Sequence, residues 1–398
     1  MSTKVIVVGA GIAGPVLATF LKLRGYEPTV YERVPELPDG GLGHLLQPNG
    51  LRVLSKVPGL LENIEMAKLE RTAFYSVVQG DTGLLAEQPT NPTFAFHGVR
   101  RPVFHKALVE AAERVGVEFK WGHKLVSLEQ GEDSVTVAFE NGSKATGSFV
   151  VGCDGLHSNT RTCLFGDEKA DFTGLCQTGG ICPIPENMNF PFTFLNIFGD
   201  GVHIVAYVIN DRQASWAMTK REPEAKETWR AQDDSVKQAV QNSEVAKWDF
   251  GGSELIKNSE HIVKYGLYDR PELTTWHQGR VVLIGDAAHP TSPHLGQGAN
   301  QSFEDIDLLT ELLDKYNPST ASPSTSTLEA LFTEFETARI PRSSAMVKGA
   351  RALGESRVVQ GVDACIERNN KVRIQWSDAD AVARAREAMF KSVSAKET

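Results

Sequence analysis

The chain has 398 residues, of which 41% are hydrophobic and 23% charged, so it is long enough for two or three domains with a large apolar core. Its 41 basic and 50 acidic side chains give a net charge of −9, which argues against nucleic acid or an anionic membrane as main partner and favours a small molecule. The five cysteines form no CxxC pair, and no apolar run reaches the roughly 18 residues of a membrane span. We therefore expect a cytoplasmic protein without a metal site.

The N-terminal residues predict a strand, a tight glycine turn and a helix that together bind a dinucleotide. An apolar strand over residues 5–8 runs directly into Gly9, Gly11 and Gly14. These glycines allow a sharp turn, an approach of backbone amides to a pyrophosphate, and close packing of the next helix on the sheet. That helix is expected from about residue 12 to residue 24, and its positive N-terminal end favours phosphates. The pattern alone leaves both FAD and NAD open.

An acidic residue follows at the distance that such a site requires. Glu32 ends the second strand, where its carboxylate can accept hydrogen bonds from ribose hydroxyls. Arg33 comes next and is either a solvated side chain or a contact to a 2′-phosphate. The glycine- and proline-rich loop over residues 33–50 contains Gly43 and His44. It is too long to be a plain connection, so we expect it to have a function.

The next part of the chain alternates helices and strands. A helix is expected over about 48–56 and a strand near 71–78, and another helix begins next to Arg101, from where a guanidinium can reach a phosphate or ribityl group. The last of the strands that follow leads into Asp154-Gly155 and a helix start, a second indication of a site at strand ends. The strands before that motif are expected over 117–120, 124–129, 134–140 and 145–151.

Residues 171–269 have a different pattern, and we expect them to form an inserted antiparallel sheet that covers the substrate. The segment contains predicted strands at 190–198, 203–209 and 214–219, followed by a charged amphipathic helical stretch from Glu222 to Trp248. The chain then returns to the nucleotide fold. The predicted domains are 1–170 and 270–340 for the nucleotide domain, 171–269 for the substrate domain, and 341–398 for a C-terminal helical region.

The returning segment contains a second glycine-rich sequence. Its strand ends at Gly285-Asp286, and His289 follows, for which we expect a structural hydrogen bond. A helix is predicted to extend to about Leu313, then a surface loop over 317–327, then helices over 328–338 and from about residue 342. The turn before the first of these helices holds Pro293, Gly296, Gly298 and Ala299.

The order of these motifs resembles the single-component FAD-dependent aromatic monooxygenases. That superfamily includes p-hydroxybenzoate, salicylate and urate hydroxylases, tetracycline-inactivating enzymes and zeaxanthin epoxidases. The resemblance extends from Lys4 to about Gly354 and implies an α/β fold, in which a Rossmann-like FAD-binding domain carries an inserted antiparallel-sheet substrate domain and a C-terminal helical region. The motifs that carry it are the glycine turn with Glu32, Asp154-Gly155, Gly285-Asp286-Ala287-Ala288-His289-Pro290, and Gly296-Gln297-Gly298.

The resemblance implies that the nucleotide is FAD. Asp286 would bind the ribityl hydroxyls, Pro293 would border the flavin ring, and Asp154 would serve both FAD and the reducing nucleotide. Amides at the turn before the helix would stabilise negative charge on the reduced ring. The residues assigned to the cofactor are Gly9, Gly11, Ala13, Gly14, Glu32, Arg33, Gly43, His44, Arg101, Asp154, Gly155, Asp286, Pro293, Gly296, Gly298 and Ala299.

The implied reaction uses NADH or NADPH together with O₂. NAD(P)H reduces FAD, and the reduced flavin traps O₂ as a C4a-hydroperoxide whose distal oxygen passes to an electron-rich, aromatic small molecule. Hydroxylation is the expected outcome. Epoxidation, Baeyer–Villiger oxidation and oxidative decarboxylation are alternatives that use the same flavin chemistry. A monomer or a homodimer is expected.

The catalytic pair of some relatives, an Arg and a Tyr on neighbouring strands, is not reproduced. The strand pattern places the first position at His203 and the second near Ser215 or Trp216. His203 and Tyr207 share one strand face, and if that face meets the flavin, either could deprotonate a phenolic substrate. The alternative is a solvated sheet face. The predicted catalytic residues are His203, Tyr207 and Pro293, with His44 and His294 as further candidates for substrate contact.

Two rival functions are weaker. The first is a flavin halogenase or a prenyl-chain reductase of the same fold. Flavin halogenases carry a Trp-x-Trp-x-x-Pro segment, whereas the six tryptophans of this chain never lie two residues apart. The second is a protein that binds flavin without catalysing a reaction and so shares only the fold with these enzymes. The intact phosphate, ribityl and Asp-Gly positions argue against that reading.

Overall fold

The computed structural model describes residues 3–185, 192–224 and 234–392. The strands in this part of the chain are β1 (Lys4–Val8), β2 (Glu27–Tyr31), β3 (Gly43–Leu46), β4 (Ala67–Lys68), β5 (Arg71–Ser76), β6 (Gly83–Pro89), β7 (His97–Arg100), β8 (Glu118–Lys120), β9 (Leu125–Gln130), β10 (Val135–Phe139), β11 (Lys144–Gly147), β12 (Phe149–Gly152), β13 (Asp171–Pro183), β14 (Thr193–Phe198), β15 (Val202–Val208), β16 (Gln213–Arg221), β17 (His261–Asp269), β18 (His277–Gln278) and β19 (Val281–Leu283). The helices are α1 (Ala13–Leu23), α2 (Pro48–Leu54), α3 (Arg101–Arg114), α4 (Asn159–Phe165), α5 (Asp234–Gln241), α6 (Gly252–Lys257), α7 (Gly298–Tyr316), α8 (Thr325–Arg357), α9 (Val362–Ser377) and α10 (Ala379–Phe390).

A six-stranded, mostly parallel sheet forms the base of the molecule, with strand order β18-β19-β12-β1-β2-β8. β1 lies between β12 and β2 and pairs in parallel with both. Its residues 5–8 are all buried, as expected for a strand covered on both faces. α1, α3 and α7 contribute buried side chains to the core on this sheet. The predicted α/β fold with a Rossmann-like nucleotide domain is confirmed.

A seven-stranded sheet stands apart from the first, with order β17-β13-β16-β15-β14-β5-β6. Its neighbouring strands are antiparallel except for β14 and β5, which run parallel. β5 and β6 come from residues 71–89, so the chain enters this sheet once before the predicted insertion at 171–269. Those predicted domain boundaries stay a prediction.

The two faces of the seven-stranded sheet have different partners. On one face, Ile204 and Trp216 pack against Leu255 and Ile256 of α6. On the other face, Val263 and Tyr265 contact Leu42, from the loop before β3, and Val358, which follows α8. The second face is therefore directed toward the nucleotide domain and the end of α8.

Several element boundaries differ from the predictions for identifiable reasons. The strand expected over 145–151 is two strands, because β11 joins a small antiparallel sheet and β12 joins the parallel one. The Glu222–Trp248 stretch is helical in α5, and residues 244–247 form a short 3₁₀ helix, while 225–233 lie outside the described residues. Residues 190–191 of the expected strand at 190–198 also lie outside them.

The C-terminal helices are longer than the sequence indicates. α8 begins inside the predicted loop, where Ser324 Oγ accepts a hydrogen bond from the amide of Thr327, and it continues through Pro341 instead of breaking near residue 340. Proline in a helix removes one hydrogen bond, but Arg339 and Ser343 on either side are buried and anchored. Tertiary contacts therefore hold the helix together. None of the described helices is both long and apolar enough to cross a membrane.

Candidate active site

The glycine turn after β1 has the geometry that its residues predict. Gly9 has φ +102°, and a Cβ there would lie 2.6 Å from the carbonyl oxygen of Cys153. A Cβ on Gly14 would lie 2.0 Å from the carbonyl oxygen of Gly9, so only glycine allows α1 to pack this close. A Cβ on Gly11 would meet no atom within 4 Å. Gly9 and Gly14 are thus fixed by packing, whereas Gly11 borders an open cradle at the start of α1.

Glu32 is linked directly to this turn. Its Oε2 accepts a hydrogen bond from the amide of Ala10 (2.7 Å), and its Oε1 accepts one from the amide of Val34 (3.0 Å). The carboxylate therefore holds the glycine turn, and its contact to a ribose stays a prediction. Arg33 is exposed, and its contact to a phosphate stays a prediction.

Two side chains of α3 contact the loops on this side of the nucleotide domain. His105 Nε2 lies 2.5 Å from the carbonyl oxygen of Ala10, a contact that the sequence analysis missed. Arg101 lies one helical turn earlier and packs on Gly41, where a Cβ would be 2.9 Å from Arg101 Cδ. The i,i+4 spacing of Arg101 and His105 was the available signal, because such residues share a helix face.

The Asp154-Gly155 motif fixes the start of α4. Asp154 Oδ1 accepts a hydrogen bond from Ser158 Oγ (2.5 Å), and Oδ2 accepts bonds from the amide and the hydroxyl of Thr160 (2.9 and 3.0 Å). Burial raises the pKa of Asp154 despite these bonds. Gly155 has φ +78°, and a Cβ there would meet no atom within 4 Å. Asp154 therefore shapes the turn, and Gly155 borders open space.

The Gly285-Asp286 turn places an exposed carboxylate between buried neighbours. Gly285 has φ +58°, and its amide donates to Asp305 Oδ2 (2.8 Å). Asp286 is exposed, whereas Gly285 and Ala287 are buried. Asp286 Oδ1 would lie 3.7 Å from a Cβ on Gly298, so this carboxylate and the start of α7 line the same space.

A buried ionic network supports that turn from behind. His289 Nε2 lies 2.7 Å from Asp305 Oδ2, the structural hydrogen bond expected for His289. Arg339 donates from Nε to Asp305 (2.7 Å) and from Nη1 to Glu304 (2.6 Å), and Arg342 also donates to Glu304 (2.7 Å). Burial acts to raise the pKa of Asp305, but His289 and Arg339 outweigh it and lower that pKa. Asp305 therefore stays ionised and holds Gly285.

A second set of buried amides fixes the turn at Gly296. Gln47 Nε2 donates to the carbonyl oxygens of Leu295 (2.8 Å) and Gly296 (3.0 Å). Asn300 Nδ2 donates to Gly296 (2.8 Å), while its Oδ1 accepts from the amide of Gln47 (3.0 Å). Sequence reasoning missed Gln47 and Asn300, which lie 253 positions apart. Pro293, just before this turn, is exposed.

The Gly43 loop brings the nucleotide domain against the seven-stranded sheet. The amide of Gly43 donates to Ser215 Oγ (2.9 Å). Trp216 lies on the opposite face and donates from Nε1 to Ser259 Oγ (2.7 Å). Of the two positions that the sequence left open, Ser215 is thus the one beside the loop. His44 stacks on Phe104 with ring centroids 5.8 Å apart, and burial, followed by Arg101, lowers the pKa of His44 to about 3.

A row of polar side chains crosses the sheet on the face directed toward the nucleotide domain. Strand register aligns His203, Thr219, Gln177 and Tyr265 on four adjacent strands. Tyr265 donates its hydroxyl to Gln177 Oε1 (2.7 Å), and Gln177 Nε2 donates to Thr219 Oγ1 (3.3 Å). His203 is 0% exposed. The alternative of a solvated sheet face is therefore wrong.

His203 is the most strongly perturbed member of this row. Its Nε2 lies 3.1 Å from Asn196 Oδ1, while its Nδ1 is buried and has no hydrogen-bond partner in the part of the chain that the structure describes. Burial, followed by the nearby Arg357 and His294, lowers the pKa of His203 well below 6.5. Tyr207 lies on the same face, and burial, followed by Tyr265, raises its pKa. His203 is neutral at pH 7, and Tyr207 keeps its proton.

These features define a dinucleotide-binding enzyme fold: a glycine turn and acidic residues at the carboxyl ends of parallel strands, with a polar sheet face opposite. The chain belongs to the FAD binding domain family, whose model matches residues 2–349, and within it to the single-component FAD-dependent aromatic monooxygenases. The predicted resemblance is confirmed.

Curated relatives and solved structures agree with this assignment. The 3-amino-4-hydroxybenzoate 2-monooxygenase of Streptomyces cremeus is 29% identical over 380 residues, covering 93% of this chain and 91% of the relative. The 3-amino-4-hydroxybenzoate 2-monooxygenase PtmB3 of Streptomyces platensis is 31% identical, covering 78% and 79%. In fold, the chain is similar to Klebsiella pneumoniae HpxO complexed with FAD and uric acid, with a TM-score of 0.83 and 23% identity over 98% of this chain and 96% of that one.

The residues present fit FAD. There is open space next to Gly11 and Gly155, where a Cβ would meet no atom within 4 Å. The start of α1 offers backbone amides to a phosphate group there. Asp286 presents an exposed carboxylate next to Gly298, as a polyol requires. Within the described ranges, no group of three or more His, Cys, Asp or Glu side chains is placed to hold a metal ion.

Proposed function

We propose that this chain is an FAD- and NAD(P)H-dependent monooxygenase that hydroxylates an aromatic small molecule bearing a hydroxyl group. Family membership supports FAD and monooxygenase chemistry. The observation that carries the choice of substrate is the buried row around His203, whose unpaired Nδ1 lies on the face directed toward the cofactor domain. A buried acceptor without a partner costs free energy unless a ligand supplies the donor.

The hydrogen bond to Asn196 determines which nitrogen of His203 can act. An amide oxygen only accepts, so Nε2 carries the proton and Nδ1 carries the lone pair. A substrate hydroxyl that donates to Nδ1 can transfer its proton there as the ring is attacked, which makes the aromatic ring more electron-rich. Tyr207 keeps its proton and can orient the substrate but does not serve as the base.

The remaining residues hold the cofactor and exclude water. When bound, FAD supplies the reductive activation of O₂, chemistry that side chains cannot perform. Gly11 and the start of α1 would hold its pyrophosphate, Glu32 its ribose, and Asp286 its ribityl chain. The amides at the start of α7 would face the ring. Leu42 and Val358 close the sheet face against solvent, which protects activated oxygen from loss as peroxide.

The named relatives support an aromatic substrate. They include 6-hydroxynicotinate 3-monooxygenase of Bordetella bronchiseptica, 27% identical over 78% of this chain, and 3-hydroxybenzoate 6-hydroxylase of Polaromonas naphthalenivorans, 27% identical over 91%. Both names describe oxygen insertion into a hydroxylated aromatic ring, the reaction proposed here.

Purification followed by a substrate screen tests the proposal. We expect a yellow protein that releases FAD on mild extraction and oxidises NADH or NADPH faster when a hydroxylated aromatic compound is added. Product masses one oxygen atom above the substrate would support hydroxylation, whereas loss of CO₂ would indicate oxidative decarboxylation. A colourless protein, or flavin that dithionite reduces but neither nicotinamide reduces, would overturn the proposal.

A further inference from the structure

A buried cation lies beside the substrate face, and no anion pairs with it among the residues that the structure describes. Arg357 is the last residue of α8 and is 5% exposed. Its Nη1 lies 3.2 Å from Nδ1 of His294, a residue of the turn before α7. The His294 ring is packed tightly on α8, because a Cβ on Gly354 would lie 2.4 Å from His294 Cδ2. Arg357 and His294 thus form one rigid pair.

Arg357 differs from the other buried arginines. Among the described residues, no carboxylate pairs with it and no oxygen accepts from it, and its Nε is buried without a partner. An uncompensated buried charge is strongly destabilising. Each of the other buried arginines donates to at least one oxygen atom: Arg161, Arg280, Arg339 and Arg368.

The proton positions on the buried side chains around Arg357 show which chemical group they can bind. Because Arg357 donates to Nδ1 of His294, the proton of His294 is on Nε2, which is buried and unpaired. Asn196 Nδ2 is a third buried donor without a partner. His203 has the opposite arrangement, with an unpaired acceptor at Nδ1. Arg357 and His294 are close enough to His203 to lower its pKa, and Val358, the residue after Arg357, packs on the same sheet face.

We propose that Arg357 and His294 form a carboxylate-binding subsite, so that the substrate is an aromatic acid whose hydroxyl group meets His203. The inference rests on the proposed function and names the substrate class. A carboxylate supplies the negative charge that Arg357 lacks and accepts from several N–H groups at once. A neutral phenol would satisfy His203 but leave Arg357 unpaired.

Ligand binding to the flavin-loaded protein tests this subsite. The dissociation constants of benzoate, 3-hydroxybenzoate and benzamide are measured from the change in flavin absorbance. We expect Arg357→Met to weaken binding of both acids by about 10- to 100-fold, the loss of a charge-assisted hydrogen bond, and to leave benzamide within about threefold. Arg357→Lys should recover part of the loss. Arg351→Met is the matched control, because Arg351 lies on the same helix, is exposed and pairs with Asp269.

The outcomes separate the subsite from a structural role and from the proposed function. Three results would overturn the subsite. In the first, Arg357→Met weakens binding of benzoate and benzamide equally. In the others, the wild-type protein does not bind benzoate, or chloride competes as well as benzoate does. If Arg357→Met does not retain flavin, Arg357→Lys gives the same comparison. Turnover of hydroxylated aromatic acids with a KM that Arg357→Met leaves unchanged would refute the subsite while keeping the hydroxylase, whereas no NAD(P)H oxidation with any aromatic compound would refute both.

Discussion

The proposed role of His203 as a proton acceptor depends on surroundings that keep the ring neutral. Burial is the main cause of its low pKa, and the nearby Arg357 and His294 add to it. A cationic histidine could not accept a hydrogen bond from a phenol, so a cluster that disfavours the cation keeps the lone pair of Nδ1 available to the substrate hydroxyl. The cost of an unpaired Nδ1 is offset when a substrate hydroxyl binds.

Replacing His203 should therefore impair turnover more than binding. We expect His203→Gln to lower kcat for a hydroxylated aromatic substrate by about 10²- to 10⁴-fold, the usual contribution of a general base. Benzoate, which has no hydroxyl group, should bind as it does to the wild type. Tyr207→Phe is the control, and its kcat should change by less than about tenfold, since Tyr207 does not release its proton. Equal kcat losses in the two variants would contradict the assignment of His203.

His294 should make the folded protein sensitive to mild acid. Burial, followed by Arg357, lowers the pKa of His294 from 6.5 to about 3. Between these values the unfolded chain binds a proton here that the folded protein does not, so the free energy of unfolding falls as pH decreases through this window, by up to about 1.4 kcal/mol per pH unit.

Urea denaturation at pH 7 and pH 5 measures that dependence. His294→Gln should flatten the loss of stability on the acid side, because glutamine takes up no proton in either state. An unchanged slope in His294→Gln would show that His294 is not the acid-sensitive group.

At the level of elements, the turn after β1 contains one glycine that is needed for folding and another that is expected to matter only for cofactor binding. Gly14→Ala pushes a methyl group into the backbone of Gly9, so we expect it to lower the stability of the apoprotein by roughly 1–3 kcal/mol or more. Gly11→Ala meets no protein atom, so its melting temperature should match that of the wild-type apoprotein, while its affinity for FAD should fall by about tenfold or more. Thermal melts and FAD titrations of both apoproteins decide the matter, and a Gly11→Ala protein with unchanged FAD affinity would count against the cradle.

The link between α7 and α8 should be a major source of stability. Arg339→Met would leave Asp305 without its arginine and remove one of two arginines from Glu304, at a cost of about 3–5 kcal/mol. The exposed pair of Lys315 and Glu334 provides a contrast, and Lys315→Met should cost far less stability than Arg339→Met. Chemical denaturation measures both losses. Losses of similar size would mean that the buried network contributes no more than a surface pair.

Across the whole molecule, the features that the sequence predicts are those that depend on residues close together in the chain. The glycine turn, Glu32 and the Gly285-Asp286 turn were predictable because each has its own backbone requirement within a few residues. The strand face of His203 was also predictable, since alternation fixes it. Whether that face meets water or the nucleotide domain depends on Leu42 and Val358, which lie far away in the sequence.

Long-range pairing accounts for most of what the sequence did not predict. The addition of β5 and β6 to the second sheet depends on pairing with β14, and no local pattern indicates it. The continuity of α8 through Pro341 depends on the contacts of Arg339 with Glu304 and Asp305. Arg357 lies beyond the residues that carry the family resemblance and belongs to no motif. Only the folded structure shows that, among the described residues, no carboxylate pairs with it.

Isotope labelling tests whether this protein transfers oxygen to an aromatic ring. The purified, FAD-loaded protein is supplied with NADH or NADPH, heavy-oxygen-labelled O₂ and a panel of hydroxybenzoates and aminohydroxybenzoates, and the products are analysed by mass spectrometry. We predict a product that carries one labelled oxygen atom, formed in proportion to the NAD(P)H consumed. NAD(P)H consumption that yields only labelled hydrogen peroxide, with every aromatic compound recovered unlabelled, would contradict the account.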